Sequence, residues 1–166
     1  MTEKFPEDGC DPLRPHSHEP NPEPPSTDPA FVFVAPDGGQ TLIDPDLLEK
    51  LPQTSLPDSY IVSTGHGTSG PFEFTGVSLL NFVRSQLPAG SRWSQVEVIS
   101  ADGFGNRVMA DELADPNPPE RPIILCYQID GQRMTRQQGL VRMIVPGETD
   151  DALRQVKWIG RIVVQR

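Results

Sequence analysis

Three places in this chain hold residue types that could do chemistry. The first is STGHGTSGP, residues 63–71. It contains Gly65-x-Gly67-x-x-Gly70, a spacing found in dinucleotide-binding turns, with Ser63 and His66 beside the glycines. Such a turn works by seating a pyrophosphate on the N-terminus of the helix that follows. Here Pro71 and FEFTG follow, and Phe72 and Phe74 alternate with Glu73 and Thr75. Alternation is a strand period, so the stretch reads strand, glycine loop, strand, and the dinucleotide reading fails. His66 reads as an exposed loop histidine, and a Ser63–His66 pair has no assignable carboxylate to orient it.

The second place is Cys10, His16 and His18. Zinc sites take a fourth ligand and a structured frame. The frame here is proline-rich and acidic, which disfavours a metal.

The third is the C-terminal quarter. Arg142 interrupts the apolar run LVRMIV. A two-residue period puts Leu140, Arg142 and Ile144 on one face and Val141, Met143 and Val145 on the other. A cation on an aliphatic face must point to solvent, pair, or meet a ligand. Lys157, beside Trp158, stands evenly between a phosphate binder and a surface lysine. Cys126, inside IILCY, reads as a small buried hydrophobe.

Charge divides the chain in the same way. Residues 1–29 carry seven acids against Lys4 and Arg14, and eight prolines. Such a segment buries too little apolar surface to offset its ordering entropy, so it reads as a disordered acidic tail ahead of one domain over 30–166. Residues 30–130 have a net charge of −8 and residues 131–166 a net of +4. An acidic chain with a basic last quarter suits a small anionic ligand, not nucleic acid or a membrane surface. The N-terminus lacks an apolar run, and no stretch is long enough to span a bilayer. The expectation is a cytoplasmic protein.

The elements that position these groups are mostly strands. FVFVAPDGGQTLI reads as a hairpin across Asp37-Gly38-Gly39. In DPDLLEKL, Asp44 caps a short helix with Pro45 in its first turn. Strands follow at 59–63 and 72–75. SLLNFVRSQL is the best helix, capped by Ser78, with Leu79, Phe82, Val83 and Leu87 at helical spacing. SQVEVIS, PIILCYQI, LVRMIV and WIGRIVV read as strands, and ADELA as one short helix. PIILCYQI is nearly continuous in apolar residues, so it should be central. The fold class is α+β and β-rich.

Several of these stretches together resemble the sulfite-oxidase-type oxidoreductase molybdopterin-binding domain family. GLVRMIVPG (Gly139 to Gly147) and VKWI (Val156 to Ile159) are similar to the end of that domain. SADGF resembles its Ser-x-Asp-Gly-Tyr turn, FTGVSLLNFV its Trp-x-Gly-Val-x-Leu helix entry, and ILCYQIDGQRM its apolar strand and Asn-Gly turn. Order and spacing agree from about residue 31 onward, as in a short stand-alone member of bacterial type.

The resemblance implies a molybdopterin, or molybdenum cofactor, pocket floored by the glycine loop. Its cofactor-binding positions would be Thr64, Gly65, His66, Arg142, Arg154 and Lys157. In the family the strand before the loop ends in Cys-x-Gly-Asn, whose cysteine binds molybdenum, and Ser63 stands at that position. A hydroxyl is a harder donor than a thiolate, so sulfite oxidation is not expected. No catalytic residue follows from the sequence. The implied function is a molybdopterin-type oxidoreductase domain with a degenerate metal site, binding an anionic ligand and serving an unnamed redox partner protein. The alternative is a non-catalytic binding module that keeps only the fold.

Overall fold

A computed structural model describes residues 28–63, 67–116, 118–146 and 156–166. The first half of the chain begins with a hairpin, β1 (Phe31–Val34) and β2 (Gln40–Ile43), as the Asp-Gly-Gly turn predicts. Helix α1 (Pro45–Glu49) follows, with the Asp44 carboxylate accepting from the Leu47 N–H. Next come β3 (Thr54–Ser63), β4 (Gly67–Ser78) and α2 (Leu79–Gln86). The second half holds β5 (Gln95–Ser100), β6 (Gly105–Met109), α3 (Ala110–Ala114), β7 (Ile124–Ile129), β8 (Gln132–Arg133), β9 (Arg142–Ile144) and β10 (Ile159–Gln165).

Two sheets form. One runs β2-β1-β10-β5-β6, with β10 parallel to β1 and antiparallel to β5. The other runs β3-β4-β7-β8. Strand β7 is central, as its apolar run predicts: β4 pairs on one edge, and β8 and then β9 share the other. Between β8 and β9 the chain leaves the sheet at Met134 and rejoins at Arg142.

The main core joins both sheets through α2. The Phe82 ring meets Phe31 at 5.8 Å and Phe33 edge-on at 5.5 Å. Val96, Val98 and Val108 close it from the first sheet, and Leu125, Tyr127, Val141 and Met143 from the second. The opposite face of β7 carries a smaller cluster of Leu56, Phe74, Ile124, Cys126, Ile129, Met134 and Ile144. Alternation along β7 and β9 sends Leu125, Tyr127 and Met143 to the main cluster and Ile124, Cys126 and Ile144 to the smaller one, and Ile129, at the end of β7, departs from it.

Two glycines explain strand contacts that look arbitrary in sequence. Gly76, in the FTGV stretch, lies where β4 crosses β7, and a Cβ there would overlap the Leu125 carbonyl and sit 2.8 Å from Cys126 Cα. Gly70 has φ +134° and would bring a Cβ to 2.7 Å from the Ser59 carbonyl. Gly67 and Gly70 belong to β4, so no helix follows the loop and the rejection of a dinucleotide turn holds.

Some elements differ from the sequence reading. Strands β3 and β4 are longer than 59–63 and 72–75. Strand β6 was not expected after the ADGFGN turn, and β9 covers only three residues of LVRMIV.

Candidate functional site

The break between β8 and β9 gathers the cations that the sequence singles out. Arg142 opens β9 opposite Cys126 and is fully buried. Lys157 is 6% exposed, so the surface-lysine alternative does not hold. The two side chains pack against the same glycine. A Cβ at Gly139 would lie 3.4 Å from Arg142 Cδ and 3.4 Å from Lys157 Cβ. Those are ordinary contact distances, so it is the backbone conformation of residue 139, at φ +110°, that favours glycine here.

The backbone around them is strained. Gly139 has φ +110°, Leu140 +58° and Trp158 +49°. Left-handed backbone costs a bulky L-residue on the order of 1 kcal/mol or more. Cross-links between two segments hold it in place. Trp158 N donates to the Gly139 carbonyl at 3.0 Å, Ile159 N to Val141 at 3.1 Å, and Met143 N to Val156 at 2.9 Å. The Trp158 indole N–H donates to the Arg136 carbonyl at 2.6 Å. Arg142 Nη1 donates to the Gln138 carbonyl at 3.2 Å, which orients the guanidinium on the turn itself. Lys157 Nζ stands 6.0 Å from the Trp158 ring centroid, within reach of its π face.

The SADGF turn abuts the same place. Ala101 N donates to the Trp158 carbonyl at 2.7 Å, and the Ser100 hydroxyl bonds the Asp102 carboxylate. Gly160 permits this approach, since a Cβ there would come within 3.1 Å of Ala101 Cα. Three stretches far apart in sequence, 100–104, 139–145 and 156–159, thus converge on one turn.

Cys126 lies across from Arg142 on the small-cluster face. Burial pushes its thiol up to about 12, although the Arg142 charge pulls the other way. Its Sγ donates to the Gln128 carbonyl at 3.1 Å. It is a protonated, enclosed thiol, as the sequence reading has it, and not a nucleophile.

The remaining expected site residues fall elsewhere. Thr64, Gly65, His66 and Arg154 lie outside the described residues, as do Cys10, His16 and His18 of the weighed metal motif. Ser63 ends β3, paired with Gly67. The ladder aligns Thr54, Gly76, Cys126 and Arg142 in one row. Ser63 and Gly67 stand nine positions along β4 from that row, about 30 Å if the strand pair were straight. The described residues bring Arg142 and Lys157 together and set Ser63 at the far end of the hairpin. Gly139 and Trp158 were not singled out as site residues, although both fall inside the motifs that carry the resemblance.

Comparisons with known proteins bear on the family and the fold. Residues 51–166 match the family described as the oxidoreductase molybdopterin binding domain. Over 54 residues the chain is 43% identical to the mitochondrial sulfite oxidase of Homo sapiens and 41% to that of Mus musculus. That stretch is 32% of this chain and 10% of each relative. The solved structure of the sulfane dehydrogenase SoxCD from Paracoccus pantotrophus aligns with a TM-score of 0.61 at 14% identity, over 82% of this chain and 38% of that one. The match thus spans about a tenth of the curated relatives and well under half of the structural one.

Proposed function

The chain belongs to the oxidoreductase molybdopterin binding domain family, and on that premise we propose that the turn at Gly139 binds the phosphate-bearing end of a molybdopterin-type ligand. The observation that carries this is the pair of buried cations on one glycine, Arg142 and Lys157. Two like charges held together in a low-dielectric site favour an anion between or beside them. A guanidinium grips phosphate oxygens bidentately, and an ammonium adds a point charge.

The residues fit one end of that group better than the other. Arg142 and Lys157 suit its phosphate, and the strained turn fixes them in advance, which lowers the ordering cost of binding. At the metal end the resemblance implies a thiolate at position 63, where this chain has Ser63, and the strand register sets that residue far along β4 from Arg142, so the described residues do not fit the metal end. Cys126 supplies no substitute, because its thiol is enclosed and held protonated. When bound, the molybdenum centre would supply the redox chemistry. This chain's own part is to hold and orient the pterin phosphate. With the metal end altered in this way, rapid sulfite oxidation is not expected.

The test has two arms. The purified protein is assayed for molybdenum and for the fluorescent oxidation product of the pterin. Binding of pyrophosphate is then measured by calorimetry in the wild type, Arg142→Met and Lys157→Met. Methionine fills much of the space without the charge. Each substitution should weaken binding about ten- to a hundredfold, the equivalent of a charge-assisted contact of roughly 1.5–3 kcal/mol. Unchanged affinity in both variants would place the anion site elsewhere.

A further inference from the structure

A second cationic surface lies away from the Gly139 turn. Two open clefts, of about 760 and 690 Å³, meet at the loop from Leu87 to Trp93. The first is walled by Arg84, Arg92 and Trp93 over the apolar Leu87 and Ala89, with Asp111 the only acid. The second shares Arg92 and Trp93 and adds Arg166, with Asp37 the only acid. All three arginines are exposed. Arg133, by contrast, is engaged by Asp46 and Glu49, whereas Arg84, Arg92 and Arg166 make no side-chain hydrogen bond or ion pair among the described residues. In a chain of net charge −9 this patch is a local exception. Its chemistry calls for a short acidic segment with one apolar side chain for the Trp93 and Leu87 floor.

We propose that the occupant is this chain's own residues 3–11, EKFPEDGCD. That stretch holds Glu3, Glu7, Asp8 and Asp11 against Lys4 alone. It also holds Phe5, the only aromatic residue in 1–27. The acids meet the arginines, and Phe5 meets the apolar floor beside Trp93. Reach is ample. The second cleft is lined by Ala35, Pro36 and Asp37, at the end of β1. Asp28 precedes Pro36 by eight residues, a span of at most ~28 Å, while the residues linking Asp11 to Asp28 extend to ~55 Å. Being tethered, the segment needs little intrinsic affinity, because a linker of this length sets its effective concentration near the millimolar range. Salt should loosen the contact, since the arginines are exposed and the Debye length falls to about 3 Å at 1 M.

The full chain offers its own probe. Cys10 lies within the proposed segment, and the only other cysteine, Cys126, is fully buried. A bimane label, which tryptophan quenches on contact, therefore enters at Cys10. Its emission should be low in the native chain. It should rise severalfold in Arg84→Glu/Arg92→Glu, in Trp93→Phe and at 1 M salt. The arginine variants change exposed side chains, so they test docking without disturbing the core. Emission unmoved by charge reversal would overturn the proposal. So would quenching relieved by Trp158→Phe and not by Trp93→Phe, which would put the segment at the Gly139 turn.

Discussion

Two arginines nine residues apart hold opposite stations. Arg133, on β8, is 47% exposed at its side chain and reaches both Asp46 and Glu49 of α1 at 2.8 Å. Those two carboxylates, Asp46 before Glu49, hold its guanidinium more firmly charged than usual. Arg142, on β9, is fully enclosed beside Lys157 and Cys126. The first region is a surface clamp between a helix and a strand. The second is a cationic turn built into the wall of a sheet. The clamp is an exposed ion pair between surface groups. The turn joins burial, like charge and left-handed backbone at Leu140 and Trp158.

The contrast predicts a graded series. Arg142→Ala should have the largest effect, because it empties a fully buried site. A loss of about 2–4 kcal/mol is expected, read as a lower denaturant midpoint at unchanged slope. Arg142→Met should recover most of it, since replacing a buried charge with an apolar side chain is often neutral, while pyrophosphate binding stays lost. If Met is as unstable as Ala, the charge itself is structural and the contrast with Arg133 weakens.

Gly139→Ala comes next. The positive φ should cost about 1–2 kcal/mol. It should also lower pyrophosphate affinity, because the turn that carries both cations must adjust its backbone. Arg133→Ala should cost at most about 1 kcal/mol, and most of that should vanish in high salt, as for other exposed ion pairs. A double-mutant cycle with Asp46→Ala and Glu49→Ala measures it directly. A coupling that survives 1 M salt would show the clamp to be more than a surface pair.

Cys126 gives the smallest effect at neutral pH. Its folded thiol pKa is raised from 9.0 to about 12. Below pH 9 both folded and unfolded chains keep the proton, so the shift changes nothing. Above pH 9 the unfolded chain releases its proton first, and stability is lost progressively until about pH 12. The alkaline fall should therefore be shallower in Cys126→Ala. An equal slope in both chains would mean that water reaches the thiol and that the Arg142 wall is open.

The sequence made the cation legible by contradiction. Arg142 stood out because strand alternation put it on an aliphatic face, and the structure buries it there. Helix α2 was legible from its Ser78 cap and from Phe82 and Val83 at helical spacing, both buried. The first half of β3 was not. TSLPDS has no apolar alternation, and the strand changes register around Pro57 and Asp58, where Asp58 takes φ 52°. Strand β6 was hidden for a related reason. It lies at a sheet edge and turns only Val108 inward, so GNRVM shows no period. The strain at Leu140 and Trp158 could not be read at all, because tertiary hydrogen bonds impose it on residues with no local preference for it. The glycine loop stays a sequence argument at Thr64, Gly65 and His66, which lie outside the described residues.

The pairing of β1 with β10 has a consequence for how the molecule is made. Val32 lies beside Arg161, 129 residues further along the chain. During synthesis, at roughly 5–20 residues per second, β1 and its hairpin partner wait on the order of ten seconds for that neighbour. Until it arrives, one edge of β1 is open and Phe31 and Phe33 lack half of their sheet, which is the profile of an aggregation-prone nascent strand. Ribosome-bound chains stalled before residue 159 should therefore recruit holdase chaperones, and chains released there should precipitate, even though most of both sheets has already been translated.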